Sequence, residues 1–257
     1  MSEVRVPTVT PPPSRLLLPR LRPWCEGARR LVLVALLGCL SGWLTGCRTT
    51  APAGPYRVLL LGDSISMGYT SHVQELLRER AVVVRPTNAK GRALNCQGTN
   101  HGSLELEGWL AIDGGGFDVI HYNFGLHDLK RVRPDSGRNS NDPADPRQAD
   151  PERYRAQLTA ITERLAATGA RLIFATTTPV PSGELRPFRA PEDAVRYNAI
   201  AREVMREYDV AINDLFAYVE AHEPPLLRPG DVHFDAAGSR LLAERVVEAI
   251  ERARSEM

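Results

Sequence analysis

Three short stretches of this chain combine residue types that do chemistry together. "GDSIS", residues 62–66, follows an apolar run and sets Ser64 on a turn that begins with glycine. "GLHD", residues 125–128, carries His127 and Asp128, and "GDVHF", residues 230–234, carries Asp231 and His233. A serine hydroxyl is a weak nucleophile at neutral pH and needs an imidazole to take its proton. A carboxylate then holds that imidazole in one tautomer and supports the imidazolium that forms. Ser64, His233 and Asp231 compose such a set. The oxyanion that develops also needs donors, and losing one costs roughly 10²–10³ in rate. Backbone N–H groups at a helix start, exposed by glycine, suit that task. The competing reading of Ser64 is a helix N-cap, a role serine favours. A cap alone does not predict a distant "DVHF".

The rest of the chain has to position these residues, and strand and helix signals alternate along it. Residues 56–62, 81–86, 117–125, 171–178 and 210–214 read as strands; 71–80, 103–112, 151–169, 191–208 and 236–253 read as helices. Short apolar strands alternating with longer amphipathic helices predict an α/β fold with a parallel sheet of about five strands, covered on both faces. In open α/β sheets ligands bind beyond the carboxyl ends of the strands. Asp63 and Ser64 follow the first strand; Asn88, Asn95, Gln97, Gly98 and Thr99 follow the second; Asn123, Gly125, His127 and Asp128 end the third; Thr176, Thr177 and Thr178 follow the fourth. His121 reads as a core histidine, His72 and His222 as surface residues, and His101 as a residue within reach of a substrate. Trp109 and Phe124 read as packing, Ser66 as a turn or capping residue, and Asp235 as the N-cap of the last helix. Residues 131–151 break the rhythm. They are polar, Pro-rich and nearly free of apolar side chains, which predicts a flexible or disordered insertion, either inert or a lid at the rim of the site.

The chain has 257 residues and a formal charge of +1, with no basic stripe that would suit a nucleic acid. Nearly all its basic residues are arginine; only Lys90 and Lys130 are lysine. Residues 1–46 stand apart from the fold. Arg15, Arg20, Arg22, Arg29 and Arg30 precede an apolar run at 31–45. That run is shorter than the roughly 20 residues of a membrane span. A positive flank, a short apolar core and small residues describe a secretory signal. "LTGC", ending at Cys47, resembles a bacterial lipobox, which implies cleavage before Cys47, its lipidation and membrane anchoring through a short tether, 47–55. An uncleaved anchor and a plain signal peptide are the other readings. Arg48, rather than aspartate, after the cysteine implies an outer-membrane lipoprotein. Cys25 and Cys39 would leave with the signal, so Cys96 would have no disulfide partner, and the cysteine spacings fit no zinc site.

"GDSIS", the loop around Gly98, "GLHD" and "DVHF" resemble, in order, the four blocks of the SGNH or GDSL hydrolases. The similarity runs from about residue 57 to 253, and "VIHYNFGLHDLK", "ATTTPVP" and "DVHFDAAGSRLLAE" resemble a bacterial subgroup of SGNH-type hydrolases. The resemblance implies a three-layer α/β/α, flavodoxin-like fold and ester hydrolysis without a metal or other cofactor. It implies Ser64 as nucleophile, His233 as base, Asp231 as orienting acid, and the Ser64 and Gly98 amides as an oxyanion hole. Two departures stand out. His127 occupies the position where the family has asparagine; an imidazole donor titrates, which predicts pH-dependent oxyanion stabilisation. Asn95 or Asn123 would be the substitute donor. The family acid commonly lies three residues before the histidine, where this chain has Gly230; Asp231 lies two before. The absence of a long apolar loop predicts a small acyl group, such as acetyl, on a polar alcohol such as a glycan. An O-acyltransferase with the same triad, and a non-catalytic glycan-binding lipoprotein, are the alternatives.

Overall fold

The computed structural model describes residues 54–222, 226–227 and 230–256. The expected signal segment, Cys47 and most of the expected tether lie outside the described residues. The first strand, β1 (Tyr56–Leu61), leads into α1 (Ser64–Leu77), β2 (Ala81–Val84) and α2 (Thr99–Leu110). Then come β3 (Val119–Tyr122), α3 (Pro151–Ala166), β4 (Arg171–Ala175) and α4 (Pro191–Glu207). The chain ends with β5 (Ala211–Asn213), α5 (Leu215–Ala221) and α6 (Ala236–Ser255). All five strands are parallel, in the order β2-β1-β3-β4-β5. The expected α/β/α three-layer fold is present: α1 and α6 pack together on one face, and α2, α3 and α4 form the other layer. Chain direction across the sheet reverses between β1 and β3, the place where doubly wound folds open a crevice beyond the strand ends.

The core explains the strand order. Val58, Leu59, Leu60 and Leu61 of β1 are fully buried, as are Val119 and Ile120 of β3. Side chains of alternate residues point to opposite faces, so such a run needs helices on both sides. Each buried leucine or valine contributes about 1.5–3 kcal/mol. These two central strands therefore hold the segments at their carboxyl ends most firmly.

Three elements depart from the sequence reading. Helix α1 begins at Ser64, seven residues before the apolar periodicity becomes obvious. Ile65, Tyr69, Val73 and Leu77 form its buried stripe, with the small polar residues Ser66 and Thr70 buried among them. A Cβ on Gly68 would lie 3.1 Å from Ser239 Oγ, so the small residues let α6 approach closely. Helix α2 starts at Thr99, behind Gly98, rather than at 103. Helix α5 was not expected; Asp214 caps it by accepting from the Ala217 amide at 3.2 Å.

The 131–151 segment also differs from its expectation. It folds back on itself through backbone bridges Arg131–Arg147 and Val132–Asn139. Arg131 Nη1 and Arg147 Nη2 reach the buried Asp193 of α4 at 3.1 and 2.7 Å. Its polar residues satisfy one another and α4, which composition alone does not reveal. Arg131 N donates to Phe188 O and Phe188 N donates to Ser140 O, both at 2.9 Å. The segment thereby buttresses the chain around residue 188.

Candidate active site

Asp63, not Ser64 or Ser66, caps α1: its carboxylate accepts from the Ile65 amide at 2.9 Å. Ser66 instead ties the turn by donating its hydroxyl to Asp63 O at 2.7 Å. Ser64 is thus left at the first helical position, where the backbone N–H has no intrahelical acceptor and the helix dipole is positive. Its Oγ lies 2.8 Å from His233 Nε2. His233 Nδ1 lies 2.6 Å from Asp231 Oδ1. The same oxygen accepts from the His233 backbone amide at 3.1 Å. This is an Asx turn, in which an aspartate bonds the chain two residues on. It accounts for the two-residue spacing: the turn folds the carboxylate back onto the ring of His233. The carboxylate accepts a hydrogen bond from Nδ1–H, so Nε2 is left without a proton and accepts from Ser64. Asp235 caps α6 by accepting from the Gly238 amide at 2.7 Å, which anchors the histidine loop to the helix packed on α1.

The second loop reaches this turn through Cys96, whose amide donates to Gly62 O at 3.0 Å; the Cys96 thiol is buried and free. Gly98 then starts α2. A Cβ there would sit 2.7–2.8 Å from the Asp128 carboxyl atoms, so only glycine fits. Among the described residues neither the Ser64 nor the Gly98 amide N–H has a protein acceptor. Asp128 is buried and accepts from Thr99 N at 2.8 Å and Thr99 Oγ1 at 2.6 Å. Burial raises its pKa to about 7. Asp128 is a structural post that joins the "GLHD" turn to the start of α2.

A cleft of about 300 Å³ opens at Ser64, bordered by His233, Asp231, His127, Asn95, Leu185, Arg186 and Arg189 among others. Asn95 Oδ1 accepts from the Gln97 amide at 2.8 Å, which leaves the Nδ2 donor available. Asn123 does not border this cleft. Its Nδ2 donates to Ala175 O at 2.7 Å, and it faces a separate small cavity beside Asp63, Ser66 and Thr177. The neighbouring strand's carbonyl holds one of the two Nδ2 hydrogens, and the position of Asn123 outside the cleft counts against it as the substitute donor.

His127 corrects a second expectation. Burial, with the Lys130, Arg189 and His233 charges nearby, pushes its pKa down to about 3. It stays neutral near physiological pH, and the anticipated pH dependence of its donor does not arise. Lys130 Nζ lies 3.4 Å from its Nδ1. An ammonium only donates, so Nδ1 accepts and the ring proton sits on Nε2. His121 is indeed in the core, edge-on to Tyr69, with burial lowering its pKa to about 4. His101 packs against Trp109 and does not border the cleft.

Several supporting residues escaped the sequence reading. Arg85 is buried beneath the Ser64 turn and donates to Thr70 Oγ1 at 2.6 Å and Leu94 O at 2.7 Å. It thereby links α1 to the second loop. Arg189 and Lys130 stand at or behind the cleft wall. Arg85 left only the signal of a charged residue just past an apolar run, which surface residues share, and Arg189 and Lys130 follow no such run. Among the described residues no group of three His, Cys, Asp or Glu side chains is placed to hold a metal ion. No helix among them is long and apolar enough to cross a membrane.

Solved structures of similar fold include the acetyl xylan esterase AlAXEase, at 17% identity and a TM-score of 0.56 over 76% of this chain and 99% of that one. A lipase/acylhydrolase from Enterococcus faecalis aligns at 19% identity and a TM-score of 0.59, over 76% of this chain and 95% of that one. A GDSL-like lipase from Bacteroides thetaiotaomicron aligns at 16% identity and a TM-score of 0.57, over 77% and 88%. At these identities the likeness speaks for the fold. Comparison with curated protein sequences gives no match. The model of the GDSL-like Lipase/Acylhydrolase family matches residues 60–241, from the end of β1 into α6 and across every block described above. The chain belongs to that family and is an ester-hydrolysing enzyme.

Proposed function

We propose that the protein is a serine esterase that removes a small acyl group, acetyl above all, from a carbohydrate. The observation that carries this reading is the hydrogen-bonded line from Ser64 Oγ through His233 to Asp231 at the mouth of the cleft. Ser64 Oγ attacks the ester carbonyl while His233 Nε2 takes its proton. The Ser64 and Gly98 amides, with the His127 Nε2–H or the Asn95 amide, receive the oxyanion. Collapse expels the alcohol, which takes the proton back from His233, and leaves Ser64 acylated. Water, activated by the same imidazole, then releases the acid. A cleft of about 300 Å³ suits a short acyl chain, and an acetyl xylan esterase is among the structures of like fold. Lipidation at Cys47 would tether the enzyme to a membrane surface outside the cytoplasm, by analogy with lipobox proteins.

The test is to assay the chain on acetyl esters and acetylated polysaccharides beside Ser64→Ala. The variant should lose roughly 10⁴–10⁶ in turnover with its folding intact, and a fluorophosphonate should label the wild type alone. Near-normal turnover in Ser64→Ala would sink the mechanism. Transfer of the acetyl group to an added sugar in preference to water would reassign the enzyme as an acyltransferase. Cys47→Ser should abolish incorporation of an alkyne fatty acid in cells; equal labelling of both forms would refute the tether.

A further inference from the structure

The cleft beside Ser64 is cationic although the chain as a whole is nearly neutral, with a formal charge of +1. Arg189 forms part of its wall and is only 8% exposed. Its Nε donates to Leu126 O at 2.9 Å and its Nη1 to Pro187 O at 3.3 Å. A guanidinium has five N–H donors, so three remain without a partner among the described residues. The Asp63 and Asp231 carboxylates favour its charge from a distance, but no carboxylate among those residues forms a direct ion pair with it. Arg186 stands exposed on the same wall, and Lys130, also buried, lies behind His127 with no ion pair. The acid of the cleft, Asp231, is engaged by His233. A buried guanidinium without a carboxylate in direct contact is only partly compensated, and an anion that reaches its free edge recovers part of the remaining cost.

We propose that this wall is a carboxylate subsite and that the preferred substrate is an ester whose alcohol part is acidic, such as an O-acylated uronic acid. The proposal rests on the esterase reading for the place of the scissile bond. The small cleft accommodates the short acyl group, so the anion lies on the alcohol side, along the Arg189–Arg186 wall. Two carbonyls orient the Arg189 plane, and its free edge offers a carboxylate the paired N–H geometry that arginine provides. The Arg131–Phe188–Ser140 backbone ladder holds that wall in place.

The experiment compares two O-acetyl sugars matched in everything but one group: a methyl glucuronoside and the corresponding uronamide. For the wild-type chain at low salt, kcat/KM should favour the carboxylate by roughly 10- to 100-fold, the range of a charge-assisted hydrogen bond. The preference should shrink as ionic strength rises. In Arg189→Gln the ratio should approach one, whereas Arg189→Lys should keep part of it. The ratio is taken within one protein, so a general loss of activity from a disturbed wall cancels. Binding of the same two sugars to Ser64→Ala by calorimetry reports on the subsite without turnover. If the wild type hydrolyses neither ester while Ser64→Ala binds the carboxylate form more tightly, the esterase reading fails and the subsite stands. Equal kcat/KM together with equal binding, or a preference that survives intact in Arg189→Gln, overturns the subsite.

Discussion

His127 links the site to stability in a way that can be measured. Native His127 has its pKa pushed down to about 3 by burial and by the cations around it. In the unfolded chain a histidine titrates near about 6.5. Between these values the unfolded state binds the extra proton. Stability therefore rises with pH across this window: the contribution is fully present above about 6.5 and is lost as pH falls toward about 3. At pH 5 the native ring is still neutral, so the loss is set by protonation of the unfolded ring. From pH 7 to pH 5 it amounts to about 2 kcal/mol. His127→Asn removes the titrating group and keeps a side-chain N–H donor. Urea denaturation at both pH values should show wild-type stability falling by about 2 kcal/mol more than that of the variant. His121 and Asp128, whose pKa values are also shifted, are common to both proteins and cancel in the difference. If the two proteins lose the same stability to within about 0.5 kcal/mol, native His127 is not held neutral. Lys130 then no longer fixes the ring proton on Nε2. In the catalytic arm, His127→Ala should cost on the order of 10²–10³ in kcat and His127→Asn should recover much of it. A fully active His127→Ala beside a crippled Asn95→Ala would move the donor role to Asn95.

Asp231→Asn should lower kcat by roughly 10⁴, because an amide in the Asx turn no longer selects the Nδ1–H tautomer of His233. Steady-state kinetics checks it, and a nearly silent Asp231→Asn beside a dead His233→Ala would mean that another group orients the ring. Asp193→Ala should destabilise the fold by about 3–5 kcal/mol, since it strands the buried Arg131 guanidinium without a carboxylate. An unfolding free energy from urea titration within about 1 kcal/mol of wild type would show that the 131–151 segment is held by its backbone bridges alone.

Layer architecture and strand count were legible in the chain because a sheet buried on both faces requires near-continuous apolar runs, and β1 and β3 have them. The candidate set of Ser64, Asp231 and His233 was legible because its chemistry requires those residue types, and because Ser64 follows β1, where a parallel sheet exposes side chains; that the loop before α6 brings Asp231 and His233 to it was not. The start of α1 was hidden, since Ser64 to Thr70 is polar in composition and becomes a helix only through the Asp63 cap and the closeness of α6. The 131–151 segment looked unfoldable because its stabilisation is ionic and long-range: Arg131 and Arg147 find Asp193, which lies some 46 to 62 residues further along the chain. Local composition cannot register a partner at that separation. Asn95 and Asn123 were equivalent in the sequence, and the fold separated them by giving Asn123 the carbonyl of Ala175. His127 is the sharpest case. Its type announced a titrating group, and burial beside Lys130 and Arg189 lowers its pKa, because a pKa belongs to an environment that only the tertiary structure assembles.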